Sequence, residues 1–135
     1  MADDFDIVDP RTVETEQFEI CDVSHRTLTE ELRCAEMRVN QVLVEPGEVV
    51  TPHAHEDHEE VYVAVTGGQV EVEDDVYDVP EGGVVRLGPE PVRGVRNDTA
   101  DETHVWYMFG APPVGTVDDY GSTVFPDGTA EDRRS

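Results

Sequence analysis

The chain has 135 residues, which is the size of one domain with a hydrophobic core. Asp and Glu number 32 against nine basic residues, all of them arginine, and the formal net charge is −23. A charge of this sign repels nucleic acids and anionic membranes, so these two kinds of partner are excluded. The acidic residues are spread along the chain, which is typical of proteins from a cytosol of very high salt. An ordinary acidic protein is the alternative.

The first 17 residues are acidic, with few apolar side chains and a proline at position 10, and we interpret them as an arm outside the domain. They lack the basic and apolar segments of a signal peptide. No apolar run in the chain reaches membrane-spanning length, so we expect a cytoplasmic protein. Cys21 and Cys34 lack the spacing of a metal or redox motif. We expect reduced thiols, with a disulfide between them as the alternative.

Residues 18–112 carry the pattern of an all-β domain. Short apolar runs predict strands, and glycine or proline turns separate them. The predicted strands cover residues 18–23, 37–44, 49–51, 61–65, 69–73, 76–79, 84–87, 92–97 and 104–109. Thr27 followed by Glu30 is a capping-box pattern, so residues 27–32 are predicted to form a single helical turn or a polar loop. Many short antiparallel strands predict a sandwich or barrel.

Residues 113–135 are rich in proline, glycine and aspartate, and we interpret them as a C-terminal tail. Apolar residues between Val114 and Phe125 predict that the first part of the tail packs against the domain. The predicted organisation is therefore an acidic arm over residues 1–17, a barrel over residues 18–112 and a partly packed tail over residues 113–135.

His53 and His55 lie at the centre of the most informative stretch. Two residues one position apart share a face of an extended strand, because strand side chains alternate sides. A carboxylate shortly after them could return on the next strand and complete a site with two nitrogen donors and one oxygen donor. Such a set suits Fe, Mn, Ni or Zn. The alternative is that histidines on a polar loop are only solvated.

The spacing of this stretch resembles the first signature motif of the cupin superfamily. Five residues separate Gly47 from His53, one separates His53 from His55, four separate His55 from Glu60, and six separate Glu60 from Gly67. The resemblance covers residues 35–112 and implies a small jelly-roll barrel, the double-stranded β-helix. It also implies that His53, His55 and Glu60 point inward as ligands of one divalent metal ion. Cupins are commonly dimeric, so we expect a homodimer.

The second cupin signature is incomplete. Gly82 and Asn97 stand at its two ends, but Arg93 occupies the position of the histidine that is the fourth ligand in the family. A guanidinium cannot bind a cation, whereas its planar fork suits a carboxylate or phosphate. One interpretation is a three-ligand metal site with Arg93 holding an anionic substrate. The other is that Arg93 pairs with Glu60 or Glu90 and excludes the metal.

The six-residue gap to Gly67 selects Glu60 rather than Glu59 as the carboxylate ligand. Alternation along the strand then places Tyr62 on the same inward face. We predict that Tyr62 contacts the substrate, and that His58 contacts it from the rim of the pocket.

A metal-dependent enzyme is the first functional hypothesis, with an oxygenase acting on a small, anionic organic molecule as the leading class. The second hypothesis is a non-catalytic module that binds or senses a small ligand. The third is a metal-dependent isomerase or lyase that uses His58 or Tyr62 as acid or base. The sequence suggests no further site at His104, which is predicted to face solvent, or at His25.

Overall fold

The computed structural model describes residues 4–18, 21–55, 58–112, 122–124 and 130–132. A short 3-10 helix at Pro10–Thr12 precedes twelve β-strands within these ranges. The strands are β1 (Glu16–Phe18), β2 (Cys21–Thr27), β3 (Arg38–Val44), β4 (Ala54–His55), β5 (Glu59–Ala64), β6 (Gly68–Val72), β7 (Asp75–Val79), β8 (Gly83–Leu87), β9 (Arg93–Arg96), β10 (His104–Ala111), β11 (Ser122–Val124) and β12 (Ala130–Asp132). Among the described residues, no helix is long and apolar enough to cross a membrane.

The strands form three antiparallel sheets. Six strands in the order β1-β2-β3-β10-β5-β8 make the largest, and two sheets of three strands have the orders β7-β6-β9 and β12-β11-β4. Single bridges from Val49 to Arg96 and from His53 to Arg93 join the segment before β4 to β9. The prediction of an all-β fold is confirmed.

The hydrophobic core lies between the largest sheet and the β7-β6-β9 sheet. Trp106 of β10 is fully buried there. Gly68 of β6 makes room for it, since a Cβ at position 68 would lie 2.8 Å from the indole ring. Alternation along β5 turns Tyr62 and Ala64 into this core, because successive strand side chains point to opposite faces. The buried core residues are Val23, Val42, Val44, Val50, Tyr62, Ala64, Val70, Val79, Leu87, Val95 and Trp106.

The segment after β2 is a turn. Thr27 ends the strand, and the Leu32 N–H donates a hydrogen bond to the Leu28 carbonyl at 2.9 Å. The two alternatives for residues 27–32 thus resolve to a strand end followed by a hydrogen-bonded turn. Cys34, which follows the turn, carries a free thiol.

Both ends of the described chain join the sheets. β1 overlaps the end of the predicted arm and pairs with β2. β11, from the predicted tail, pairs with β4, so that Thr123 lies opposite His55. The rest of the predicted tail packing lies outside the described residues, and the three domain boundaries stay predictions.

Candidate metal centre

The two histidines of the motif lie where the chain enters and forms β4. The backbone of His53 exchanges two hydrogen bonds with Arg93 of β9, at 2.9 and 2.7 Å. This pairing sets His53 directly opposite Arg93. His55 follows on β4 and is buried.

Glu60 approaches the two histidines from β5. The nearest donor atoms of His53, His55 and Glu60 all lie within 4.8 Å of one another. Glu59 points to the other face of the strand, where its carboxylate pairs with exposed Arg86 at 2.8 Å. The strand's alternation thus decides which of the two adjacent carboxylates faces the histidines.

One ring nitrogen of His53 is available to bind a metal ion. Its Nδ1 lies 3.0 Å from the Thr51 carbonyl oxygen, a contact in which Nδ1–H donates and Nε2 keeps its lone pair. Burial lowers the pKa of His53 to about 4, and a charge on His55 acts in the same direction. The ring is therefore neutral at physiological pH. Both ring nitrogens of His55 are buried; Nδ1 has no hydrogen-bond partner among the described residues, and Nε2 lies 3.4 Å from Glu60 Oε1.

One oxygen of Glu60 is saturated by hydrogen bonds. Oε1 accepts from the Tyr62 hydroxyl at 2.8 Å, from Arg93 Nη2 at 3.0 Å and from Arg93 Nε at 3.2 Å. Burial raises the pKa of the Glu60 carboxyl, but interactions with the His55 and His58 rings outweigh burial and hold that pKa well below its usual value. Glu60 is thus ionised; its Oε1 lies 3.4 Å from His55 Nε2, and its Oε2 lies 3.8 Å from His58 Nε2.

Arg93 is fully buried, and each of its three guanidinium nitrogens donates hydrogen bonds. Its Nη1 donates to the carbonyls of Gly88, Pro89 and Pro91 at 2.8, 3.2 and 2.7 Å, while Nε and Nη2 donate to Glu60. The ion pair with Glu60, one of the two alternatives for this residue, is formed. Binding of an anionic substrate by Arg93 stays a prediction.

Tyr62 contributes its hydroxyl group to the carboxylate. The side chain is buried, and burial together with the charge of Glu60 raises the pKa of Tyr62 well above its usual value. The hydroxyl therefore remains protonated and acts as a hydrogen-bond donor. Its predicted contact with substrate is not tested by this geometry.

His58 lies inside the site rather than at its rim. The side chain is buried, its ring centroid is 4.1 Å from that of His55, and its Nε2 is 3.8 Å from Glu60 Oε2. Gly110 of β10 lies beside the ring, since a Cβ there would be in van der Waals contact with His58 Cδ2, at 3.4 Å. The expected rim position is wrong, although a role in substrate binding stays a prediction.

The remaining histidines lie away from the site. His104 was expected to face solvent, and this is wrong: it is buried, opposite Val44 on the inner face. His25 is also buried and lies opposite Val42. Neither is aligned with Glu60 across the sheet, where Gly110 lies opposite it.

Arg38 is a residue of the site region that the sequence interpretation missed. It is buried, and the register places it opposite Gly110, which itself lies opposite Glu60. Arg38, Gly110 and Glu60 therefore form one row on the inner face. The signal was present in the alternation of β3, since Arg38 has the same parity as the core residues Val42 and Val44.

The donor set fits a divalent cation of intermediate softness. Ligand atoms bound at about 2.0–2.2 Å lie about 3–3.5 Å apart around such an ion. The three donor atoms lie within 4.8 Å of one another, so small side-chain movements would bring them to that spacing. Two neutral imidazoles and one carboxylate oxygen are the appropriate ligands for Fe, Mn, Ni or Zn.

Comparison with known proteins identifies the fold. No protein-family model matches the sequence, and no curated protein matches it either. Among solved structures, a cupin-superfamily sugar phosphate isomerase from Silicibacter pomeroyi is similar, with a TM-score of 0.73 and 14% identity over 94% of this chain and 92% of that one. A predicted oxalate decarboxylase from Thermotoga maritima has a TM-score of 0.68 and 15% identity over 79% of this chain and 99% of that one.

A third similar structure is a protein with a double-stranded β-helix domain from Klebsiella pneumoniae. Its TM-score is 0.64, with 14% identity over 78% of this chain and 89% of that one. Together with the sheet order, these likenesses show that the chain has the double-stranded β-helix fold of cupins.

Proposed function

We propose that this protein is a metal-binding single-domain cupin that acts as an enzyme on a small, anionic organic molecule. His53, His55 and Glu60 hold one divalent ion of Fe, Mn, Ni or Zn. The convergence of their donor atoms within 4.8 Å of one another, from β4, the residue before it and β5, is the observation that carries this proposal. The motif spacing supports the same three residues.

The residues of the chain have distinct tasks in this proposal. When bound, the ion would act as a Lewis acid that polarises a substrate oxygen. Tyr62 and Arg93 fix the Glu60 carboxylate through hydrogen bonds of 2.8 and 3.0 Å, which pre-orients the ligand set. The apolar side chains of Met108 and Val85, packed against the core, exclude water on the inner side.

An oxygenase is the leading reaction class, because two histidines and one carboxylate are the ligand set of non-haem Fe(II) oxygenases and leave coordination positions open. A metal-dependent isomerase or lyase is the second candidate. The structural likeness to the isomerase and to the predicted decarboxylase supports it, as does the position of His58, whose Nε2 lies 3.8 Å from Glu60 Oε2 and which could carry a proton.

Metal analysis and oxygen consumption separate these classes. Protein purified in high salt without chelator is analysed for bound metals and then assayed for O₂ uptake with small organic acids. Stoichiometric iron with O₂ uptake supports the oxygenase. Manganese, nickel or zinc with turnover of sugar phosphates or oxalate, but without O₂ uptake, supports the isomerase or lyase. Metal-free protein that still binds small anions contradicts the enzyme proposal and favours a binding module.

We also propose that the protein works in a salt-rich cytoplasm as a homodimer. The net charge of −23 and the absence of lysine from the sequence support the salt-rich setting. Light scattering in high salt tests the dimer. A monomer at all concentrations measured would contradict it.

A further inference from the structure

The charged side chains in the interior have the opposite sign to the surface. Although the chain carries a net charge of −23, the fully charged residues classed as buried among the described positions are Arg38 and Arg93. Glu60, which pairs with Arg93, is less completely buried, since its side chain is 15% exposed. The charged residues classed as buried in the described part of this acidic protein are therefore positive.

The formal charge of the candidate centre follows from its contacts. The charge of Glu60 is balanced by Arg93, whose Nη2 lies 3.0 Å away, and an imidazole that binds a metal ion does so in its neutral form. A divalent ion added to this set would leave the centre with a charge of about +2, because the ligand carboxylate is already neutralised. An uncompensated charge in a low-dielectric interior is costly.

Arg93 cannot relieve this charge by moving away. Three backbone carbonyls, those of Gly88, Pro89 and Pro91, accept hydrogen bonds from its Nη1, and the guanidinium is fully buried. A guanidinium is not deprotonated in proteins, so this charge is permanent. The compensating charge must therefore come from a ligand.

We propose that the immobile positive charge of Arg93 couples the binding of the metal ion to the binding of a small anion, a carboxylate or a phosphate. This inference rests on the proposed metal-binding function and narrows its substrate class. Metal and anion then bind cooperatively, each raising the affinity of the other by the same factor. Arg38, which lies in the same cross-strand row as Gly110 and Glu60, adds a second positive charge to this interior.

The test measures Mn²⁺ affinity from the free-ion electron paramagnetic resonance signal, with and without acetate, in perchlorate salt. Perchlorate provides ionic strength with little tendency to coordinate, and acetate complexation in solution is measured separately. In the wild type, saturating acetate is expected to tighten Mn²⁺ binding about fivefold or more. Reciprocally, Mn²⁺ is expected to tighten acetate binding by the same factor.

Three variants assign the effect to Arg93. In Arg93→Met, Mn²⁺ is expected to bind more tightly without acetate, and the acetate effect is expected to disappear. Arg93→Lys keeps the charge and is expected to retain the effect. Arg86→Met, which removes an exposed arginine paired with Glu59, is the matched control and is expected to behave as the wild type.

The outcomes separate this inference from the metal site itself. Mn²⁺ binding that His53→Ala abolishes but acetate does not alter would overturn the cooperativity and leave the metal site standing. Absence of Mn²⁺ binding to the wild type in every condition would overturn both. The wild-type measurement alone decides these cases if Arg93→Met does not fold.

Discussion

Arg93 and Glu60 form an ion pair inside the barrel, with guanidinium Nη2 3.0 Å from carboxylate Oε1. By the motif resemblance, the arginine takes the place of the fourth cupin ligand, and it contacts the carboxylate that would be the third. It occupies Oε1 and leaves Oε2 facing His58, at 3.8 Å from its Nε2. Relative to that pattern, the arginine therefore removes a ligand, adds a positive charge and engages one of the two Glu60 oxygens.

Glu60→Gln is expected to abolish stoichiometric metal binding, because an uncharged amide oxygen replaces the carboxylate donor and the Arg93 charge is left without its partner. Isothermal titration with Zn²⁺ measures the effect. Glu59→Gln is the matched control, since this neighbour faces outward and pairs with Arg86. Equal loss in both variants would indicate a general effect on β5 and contradict the assignment of Glu60.

Arg93→His is expected to raise metal affinity by about tenfold or more, because it removes a repelling charge and adds an imidazole donor. The same change breaks the pair with Glu60 and the bonds to three carbonyls. We therefore expect the metal-free variant to lose about 3 kcal/mol in free energy of unfolding. Zn²⁺ titration and urea unfolding measure the two effects, and unchanged affinity would remove Arg93 from the site.

Tyr62→Phe is expected to weaken metal binding severalfold and to lower the free energy of unfolding by about 1 kcal/mol, the typical contribution of one hydrogen bond. The lost contact is the 2.8 Å bond from the hydroxyl to Glu60 Oε1. Urea unfolding and metal titration provide the measurements. Tyr77→Phe serves as the control because Tyr77 is exposed, and matching losses in the two variants would argue against a specific role for Tyr62.

His25 is expected to make stability depend on pH. Burial lowers the pKa of His25 below its usual value of 6.5, with Glu16 opposing this shift. As pH falls, His25 is therefore protonated at a higher pH in the unfolded chain than in the folded protein. The free energy of unfolding then decreases from about pH 6.5 downward, until pH falls below the lowered pKa of the folded state. Urea unfolding between about pH 7.5 and 5.5 should show a smaller decrease in His25→Gln than in the wild type. Parallel curves would contradict this contribution.

Salt is expected to stabilise the folded protein. The acidic surface repels itself, and raising ionic strength from about 0.1 M to about 1 M shortens the Debye length from about 10 Å to about 3 Å. Thermal unfolding in KCl should therefore show a rising midpoint over this range. Sucrose, which is uncharged, controls for effects that do not involve screening. A midpoint that salt leaves unchanged would contradict a salt-adapted surface.

Local patterns accounted for the fold class and for the three converging donors. The six-residue gap to Gly67 selected Glu60 over Glu59, and alternation along the strand then placed Tyr62 on the same inward face. Alternation along β3 also predicts that Arg38 points inward, although the sequence interpretation did not include this residue. The burial of His58 and His104 was not predicted, because both lie at strand ends, where sequence does not reveal which neighbouring strand covers them.

The sequence by itself determined the all-β fold and the candidate ligand set, because strand period and motif spacing are properties of short, local stretches. Only the tertiary structure decided what surrounds those ligands. Arg93 and Glu60 are separated by 33 positions, and their pairing depends on how β9 and β5 are brought together. His58 packs beside Gly110, which lies on a third strand. Such contacts arise from the packing of distant strands, and no local pattern encodes them.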